Sequence, residues 1–484
     1  MMEERFTDEE VLLSAGIDIG TSTTKIVISR LKPTNTAGTS HVPRIEIVDK
    51  SILYKSPIYR TPLRSKTIID MEAVLDILQQ EYGRAGIKPE EIKTGAVIIT
   101  GETATKRNAQ EMLHLLSEKA GQFVVATAGP DLEGILAAKG SGAYQYAQST
   151  GKVVANIDIG GGTANIAVYR GKQFQGTCTL HIGGRLIEFE SDKITHISAP
   201  VQEMIDRNKW TLAVGQTFSK AAIRRVAREM VSTLVSILQG RVEDKDRILL
   251  LGHPPDWQVD IEAIMFSGGV SECLYRLEED GPGATPIPYQ DMGATLAEEI
   301  KASESLKQWE WIPPQETVRA TVLGAGIETT EISGSTIQVD DSRLPLKNIP
   351  VFHVDLAYNL QEGEVKIRQA VERAIQIYDS NLEGQNFALY LTQLPVLTYS
   401  QVQQLAQWIV KAYQLQPNQH EPMIVIVDGD FAKVVGQTMK MIHNKRDVVC
   451  IDQIRVEHGD YVDIGRKLRS DVVPVVVKTL AFQA

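Results

Sequence analysis

The chain has 484 residues, of which 43% are hydrophobic and 23% charged, the balance of an ordinary globular protein with more than one domain. A formal net charge of −11 argues against a nucleic-acid backbone or an anionic membrane as the main partner. Three cysteines, Cys178, Cys273 and Cys450, lie too far apart for a C-x-x-C pair or a disulfide framework, so they read as buried small hydrophobes in a reducing compartment.

Met1 to Glu10 is acidic and lacks an apolar core, so no signal peptide is expected, and no apolar run approaches the roughly 18 residues that span a bilayer. A cytoplasmic protein is expected. From about Leu12 to Gly142 the pattern is that of a first α/β unit. It opens with a strand, a polar turn and a second strand around Asp18, continues with an extended segment at Arg44 to Tyr54, and predicts a helix over Ile69 to Tyr82. Ala96 to Thr100 reads as a buried strand, Lys106 to Ala120 as a helix, and Phe123 to Val125 as a further strand. The small residues Ala137 to Gly142 suit close helix approach or a hinge.

A second unit begins at Val153. Its clearest helix is Lys220 to Leu238, with Ile223, Val226, Met230, Leu234 and Ile237 on one stripe. Lys220, Arg224 and Arg225 open that helix, with a solvated charged face expected over the alternative of contact with adenine or ribose. Ile261 to Phe266 reads as a strand ending in Ser267-Gly268-Gly269-Val270. Beyond about Ser333 a third region combines a polar helix at Val371 to Tyr378, strands at Ala388 to Leu391 and Met423 to Val427, and a β-rich tail from Val448 to Leu480.

One phrase occurs in both of the first two units. Gly16-Ile17-Asp18-Ile19-Gly20-Thr21-Ser22-Thr23 is echoed by Asn156-Ile157-Asp158-Ile159-Gly160-Gly161-Gly162-Thr163, and each copy is followed by a second apolar run. A strand-end carboxylate beside a glycine-and-hydroxyl turn offers backbone N–H groups to an anion and an oxygen ligand to a cation. Two such hairpins facing one another would grip a polyphosphate and a divalent ion. No G-x-x-x-x-G-K-[ST] loop is present, nor a G-x-G-x-x-G after the first strand, which disfavours P-loop and dinucleotide-binding folds. The nine histidines are scattered, without paired spacing for metal.

The order of the Asp18 turn, the 137–142 connector, the Asp158 turn, Ser267-Gly268-Gly269 and Ala325-Gly326 resembles the actin, heat-shock-chaperone and sugar-kinase ATPase superfamily. More narrowly, the chain resembles the ethanolamine ammonia-lyase reactivating factors of ethanolamine-utilising bacteria. That resemblance rests on Ile99-Thr100-Gly101-Glu102, the Asn156 to Thr163 phrase, Gly183-Gly184-Arg185-Leu186, Val318 to Val322, Ser333 to Ile337, Gly459 to Gly465 and Val472 to Lys478.

It implies an α/β fold of duplicated actin- or ribonuclease-H-like ATPase domains at 1–150 and 151–332, a nucleotide cleft between them, and a C-terminal α/β region at 333–484. The implied activity is an ATP-dependent, chaperone-like release of damaged or adenosyl-lacking cobalamin from the lyase, with the corrin met only through that partner. Asp18 and Asp158 would hold Mg²⁺, and both enter as candidate catalytic residues. Gly20, Thr21, Ser22, Thr23, Thr24 and Lys25, with Gly160, Gly161, Gly162 and Thr163, would meet the phosphates, and Gly268, Gly269 and Val270 the adenosine. Asp131 lies nearest the expected water-positioning acid, with Glu133 competing and Glu102 a third candidate. Association with a bacterial microcompartment stays open. The alternatives are a small-molecule kinase of the same superfamily, for which Asp70 and Glu102 are the available acids, and an actin-like scaffold.

Overall fold

The structure is a computed structural model that describes residues 12–20, 23–35, 45–65, 68–100, 123–217, 219–279, 290–315, 317, 327–332, 338–339, 343–379, 382–465 and 473–479. The expected helix at 106–120, Glu102, Thr21, Ser22, Ala325-Gly326 and the 318–322 and 333–337 stretches lie outside those residues.

The first sheet is built from β1 (Leu12–Ile19), β2 (Thr23–Asn35), β3 (Ile45–Lys55), β4 (Ile92–Thr100) and β5 (Phe123–Ala128). Their order is β3-β2-β1-β4-β5, with β1 antiparallel to β2 and parallel to β4. Ile17, Ile19, Ile26, Ile28, Val97 and Ile99 bury one face against α1 (Met71–Ala85), whose Val74, Leu78 and Tyr82 face the strands at helical spacing. Asp70 is spent as the cap of α1, accepting from the Ala73 N–H at 3.3 Å.

Two helices follow, α2 (Pro130–Gly140) and α3 (Ala143–Thr150), broken at Gly142, which takes φ +93°. The second sheet has β6 (Val153–Ile159), β7 (Ala164–Arg170), β8 (Gln173–Leu180), the two-residue β9 (Leu250–Leu251), β10 (Ala263–Ser267) and β11 (Glu310–Trp311). Leaving β9 aside, its order β8-β7-β6-β10-β11 repeats that of the first sheet, with the same antiparallel hairpin and parallel partner. All seven residues of β6 are buried, as a central strand covered on both faces requires. One face packs on α4 (Ala199–Arg207), α5 (Lys220–Leu238), α6 (Gly269–Glu279) and α7 (Gly293–Ala302). The other face, through Val154, Ala167, Tyr169 and Met265, packs on α2 and α3.

The third sheet runs β12-β19-β18-β14-β15-β16-β17-β13, built from β12 (Ile327–Ile332), β13 (Gln338–Val339), β14 (Leu346–Asp355), β15 (Ala388–Thr392), β16 (Met423–Val427), β17 (Val448–Asp452), β18 (Tyr461–Ile464) and β19 (Pro474–Thr479). Strands β14 to β17 are parallel, joined by α8 (Gly363–Tyr378), α9 (Tyr399–Tyr413) and α10 (Ala432–Ile442). All three helices share one core with Leu132, Ile135 and Leu136 of α2, so this unit shares its apolar interior with the connector rather than standing apart. The sequence pattern showed only the second half of α8 and neither α9 nor α10. The three cysteines are free and buried, and among the described residues no helix is long and apolar enough to cross a membrane.

Candidate nucleotide site

The repeated phrase folds into one geometry used twice. Asp18 sits opposite Lys25 in the β1–β2 hairpin, and Asp158 opposite Asn165 in the β6–β7 hairpin. Each turn closes identically, Gly20 N–H to Thr23 O at 2.9 Å and Gly160 N–H to Thr163 O at 2.9 Å. Both carboxylates are nearly buried, at 4% and 6% exposure. Lys25 Nζ lies 3.1 Å from Asp18 Oδ2. Asp158 is fixed differently, by a buried chain of hydrogen bonds. Ser141 Oγ donates to Asn156 Oδ1 at 2.7 Å, Asn156 Nδ2 to Ser267 Oγ at 3.0 Å, and Ser267 Oγ to Asp158 Oδ1 at 2.6 Å.

The second turn is braced on one side and open on the other. Gly184 N–H donates to Gly160 O at 3.0 Å and Arg185 N–H to Gly161 O at 2.7 Å. A Cβ on Gly183 would stand 2.4 Å from Gly161 O, so only glycine permits that backbone contact. By contrast none of Gly160, Gly161 and Gly162 has positive φ, and a Cβ on Gly162 would meet no protein atom within 4 Å. Neither backbone conformation nor packing demands glycine at Gly162. A cradle kept free of side chains fits an anion that approaches the backbone closely.

Glu133, in the first turn of α2, joins the two hairpins. Burial pushes its carboxyl up to about 8, aided by the charges of Asp18 and Asp158 and opposed by Lys25 and a hydrogen bond from Asn165. Asp158 is raised too, chiefly by burial and also by Asp18, against Ser267 and Lys25. Three carboxyls and one ammonium therefore share one electrostatic neighbourhood. Carboxyls crowded in this way, with too little protein charge to balance them, make a fitting seat for a cation. Among the described residues no group of three or more His, Cys, Asp or Glu side chains closes into a metal cage. Mg²⁺ needs no such cage, since it usually keeps several waters and takes one or two carboxylates plus phosphate oxygens.

Asp131 is not with them. Residues two apart on a helix point about 200° from one another, so α2 can present only one of Asp131 and Glu133 to the hairpins. Asp131 turns to His253, whose Nε2 lies 3.1 Å from each of its oxygens. Burial works to raise its carboxyl, but His253, Thr177 and Arg373 outweigh that and hold it low. Thr24 also differs from expectation. It is fully buried, and its hydroxyl meets Thr61 Oγ1 at 3.1 Å, while Thr61 donates to Gly20 O at 2.7 Å. The Thr24 hydroxyl thus braces the first turn from behind. Thr23 and Thr163 keep partial exposure at the turn ends.

At the end of β10, Gly268 takes φ +89°, and a Cβ there would stand 2.4 Å from Ile159 O, so this loop lies against the strand that carries Asp158. Gly269 starts α6 with no atom within 4 Å of a Cβ position. Val270 is 3% exposed and belongs to the core. Lys220 and Arg224 pair with Glu298 of α7 at 3.0 and 2.8 Å, as a structural helix face would.

With this geometry in place, comparison with known proteins is informative. Residues 9–483 match the family described as Ethanolamine utilisation protein EutA. The chain is similar to the ethanolamine ammonia-lyase reactivase EutA of Salmonella typhimurium, at 35% identity over 473 residues, covering 97% of this chain and 98% of that one. The reactivase of the same name from Escherichia coli aligns with the same identity and coverage. Among solved structures, a Ppx/GppA family member from Aquifex aeolicus aligns at 17% identity and TM-score 0.40, over 65% of this chain and 97% of that one.

Proposed function

The chain belongs to the EutA family of ethanolamine utilisation proteins, and from that premise we propose that it reactivates ethanolamine ammonia-lyase by an ATP-driven release of spent cobalamin. The observation that supports the partner is 35% identity to two named reactivases along 97% of the chain. The observation that supports the nucleotide is the convergence of Asp18, Asp158, Lys25 and Glu133 beside two equivalent turns.

Asp18 and Asp158 are assigned to Mg²⁺, through water, and the ion when bound supplies charge neutralisation for phosphate oxygens. Backbone N–H groups of the two turns, other than those of Gly20 and Gly160 that close them, hold the phosphates, and Lys25 exchanges its contact with Asp18 for the β- or γ-phosphate. Gly268 and Gly269 offer flat backbone to the nucleoside. Glu133, rather than Asp131, orients the attacking water, because it is the acid that α2 turns toward both carboxylates. Nucleotide state then opens or closes the cleft, and the lyase responds to the difference.

The test is recovery of deamination by cyanocobalamin-blocked lyase supplied with adenosylcobalamin, this protein and Mg²⁺. ATP should restore turnover and its omission should not. Equal recovery without nucleotide would remove ATP from the account, and no recovery in either arm would remove the reactivase reading.

A further inference from the structure

Helix α2 carries a second charged residue that the nucleotide site does not use. Lys139 is 1% exposed and Asp460, in the turn before β18, is equally buried. Lys139 Nζ and Asp460 Oδ1 lie 3.6 Å apart, too far for a hydrogen bond, and neither atom has a hydrogen-bond partner elsewhere. The Lys139 ammonium stands 5.7 Å from the centre of the Tyr144 ring, and Tyr144 Oη donates to Glu457 at 2.8 Å, a second tie between the same segments. Gly459 takes φ +82° with its Cβ position 3.2 Å from Ile135, which lets this turn sit directly on the helix. Nearby Tyr169 Oη and His458 Nε2 are likewise buried without partners.

An ion pair in such surroundings is a poor way to stabilise a protein. Desolvation of both charges offsets their attraction, and a well-packed apolar pair of similar volume does as well or better. Burial in fact pushes the Asp460 carboxyl up to about 6 despite the neighbouring lysine. What the pair does supply is sharp distance dependence in a low-dielectric setting. Its placement is suited to that property. Lys139 is six residues after Glu133, about 9 Å along the axis and about 240° around it, so the face of α2 that carries Glu133 meets the two hairpins while Lys139 at its C-terminal end meets the turn before β18.

We propose that the Lys139–Asp460 pair is the latch through which the state of the nucleotide cleft reaches the C-terminal α/β unit. The proposal rests on the ATP-driven reactivase reading. Movement of α2 on cleft closure carries Lys139 with it, and the ion pair makes or loosens as a unit. The C-terminal unit then presents a different surface to the partner protein.

The test uses the full chain with Lys139→Met and Asp460→Leu together, and separately Asp460→Asn, which preserves volume. Thermal melting, ATP hydrolysis and reactivation of cyanocobalamin-blocked lyase are measured for each. The double variant should melt at or above wild type and Asp460→Asn below it, because the latter leaves Lys139 buried without its counter-charge. Both should hydrolyse ATP within about twofold of wild type and reactivate the lyase about tenfold less, inside the range typical of coupling between sites. Reactivation at the wild-type rate by either folded variant overturns the proposal, as does parallel loss of hydrolysis and reactivation. Failure of the double variant to fold would mark the pair as structural support and also overturn it, unless Asp460→Asn folds and separates the two activities. If wild type itself neither hydrolyses ATP nor reactivates the lyase, it is the underlying functional reading that falls.

Discussion

An acid that must ionise beside two others raises the free energy of the folded state at high pH, and Glu133 is in that position. Its carboxyl stands at about 8 in the folded protein against 4.5 in an unperturbed chain, so the folded state holds its proton more tightly. The stability this contributes is complete below about 4.5 and is lost as pH rises through about 8. Glu133→Gln cannot ionise. In metal-free protein its melting temperature should match wild type near pH 4 and exceed it near pH 9, and a difference that does not change with pH would contradict the assignment. Asp158→Ala should retain its fold yet lose hydrolysis of Mg²⁺-ATP by about 10²–10³-fold, the scale at which preorganised charge contributes to such sites. Ser267 acts one step back, through its 2.6 Å hydrogen bond to Asp158. Ser267→Ala should weaken Mg²⁺ binding by about 10–100-fold, measured by calorimetry with an ATP analogue present.

At the scale of elements, the hairpins were legible because their information is local. A strand, an Asp and a turn occupy eight consecutive residues, and the same phrase appears twice, so register and turn follow without knowledge of the rest of the chain. The choice between Asp131 and Glu133 was not local. It depends on the phase of α2 about its axis, which is fixed by Leu132, Ile135 and Leu136 packing into a core made largely of distant residues. The connectors of the C-terminal sheet were hidden for a different reason. Helix α9 does carry a start signal, the reciprocal Thr398–Gln401 cap, but its stripe of Val402, Leu405, Ala406 and Ile409 is diluted by glutamines. Glycines in the second turn yield a prediction at this scale. Because a Cβ on Gly162 touches nothing, Gly162→Val should melt like wild type while binding an ATP analogue at least about tenfold more weakly, a loss of roughly 1.4 kcal/mol. Unchanged affinity would show that the turn does not face the phosphates.

At the scale of the molecule, two sheets of matching strand order each bring one carboxylate to a strand end, and α2 spans from their meeting point to the C-terminal unit. His253, Asp131 and Arg373 tie one end of α2 to α8, with Arg373 Nη1 3.2 Å from His253 Nε2, and the Lys139–Asp460 pair ties the other. Under the proposed function, that arrangement would give a nucleotide-dependent change in the cleft a short mechanical route to the far unit. The direct test is a crystal structure with Mg²⁺ and a non-hydrolysable ATP analogue. The account predicts phosphates lying between the Gly20 and Gly160 turns, with the ion's water shell touching both Asp18 and Asp158. A nucleotide bound elsewhere, or phosphates held by one turn with the other facing away, would contradict it.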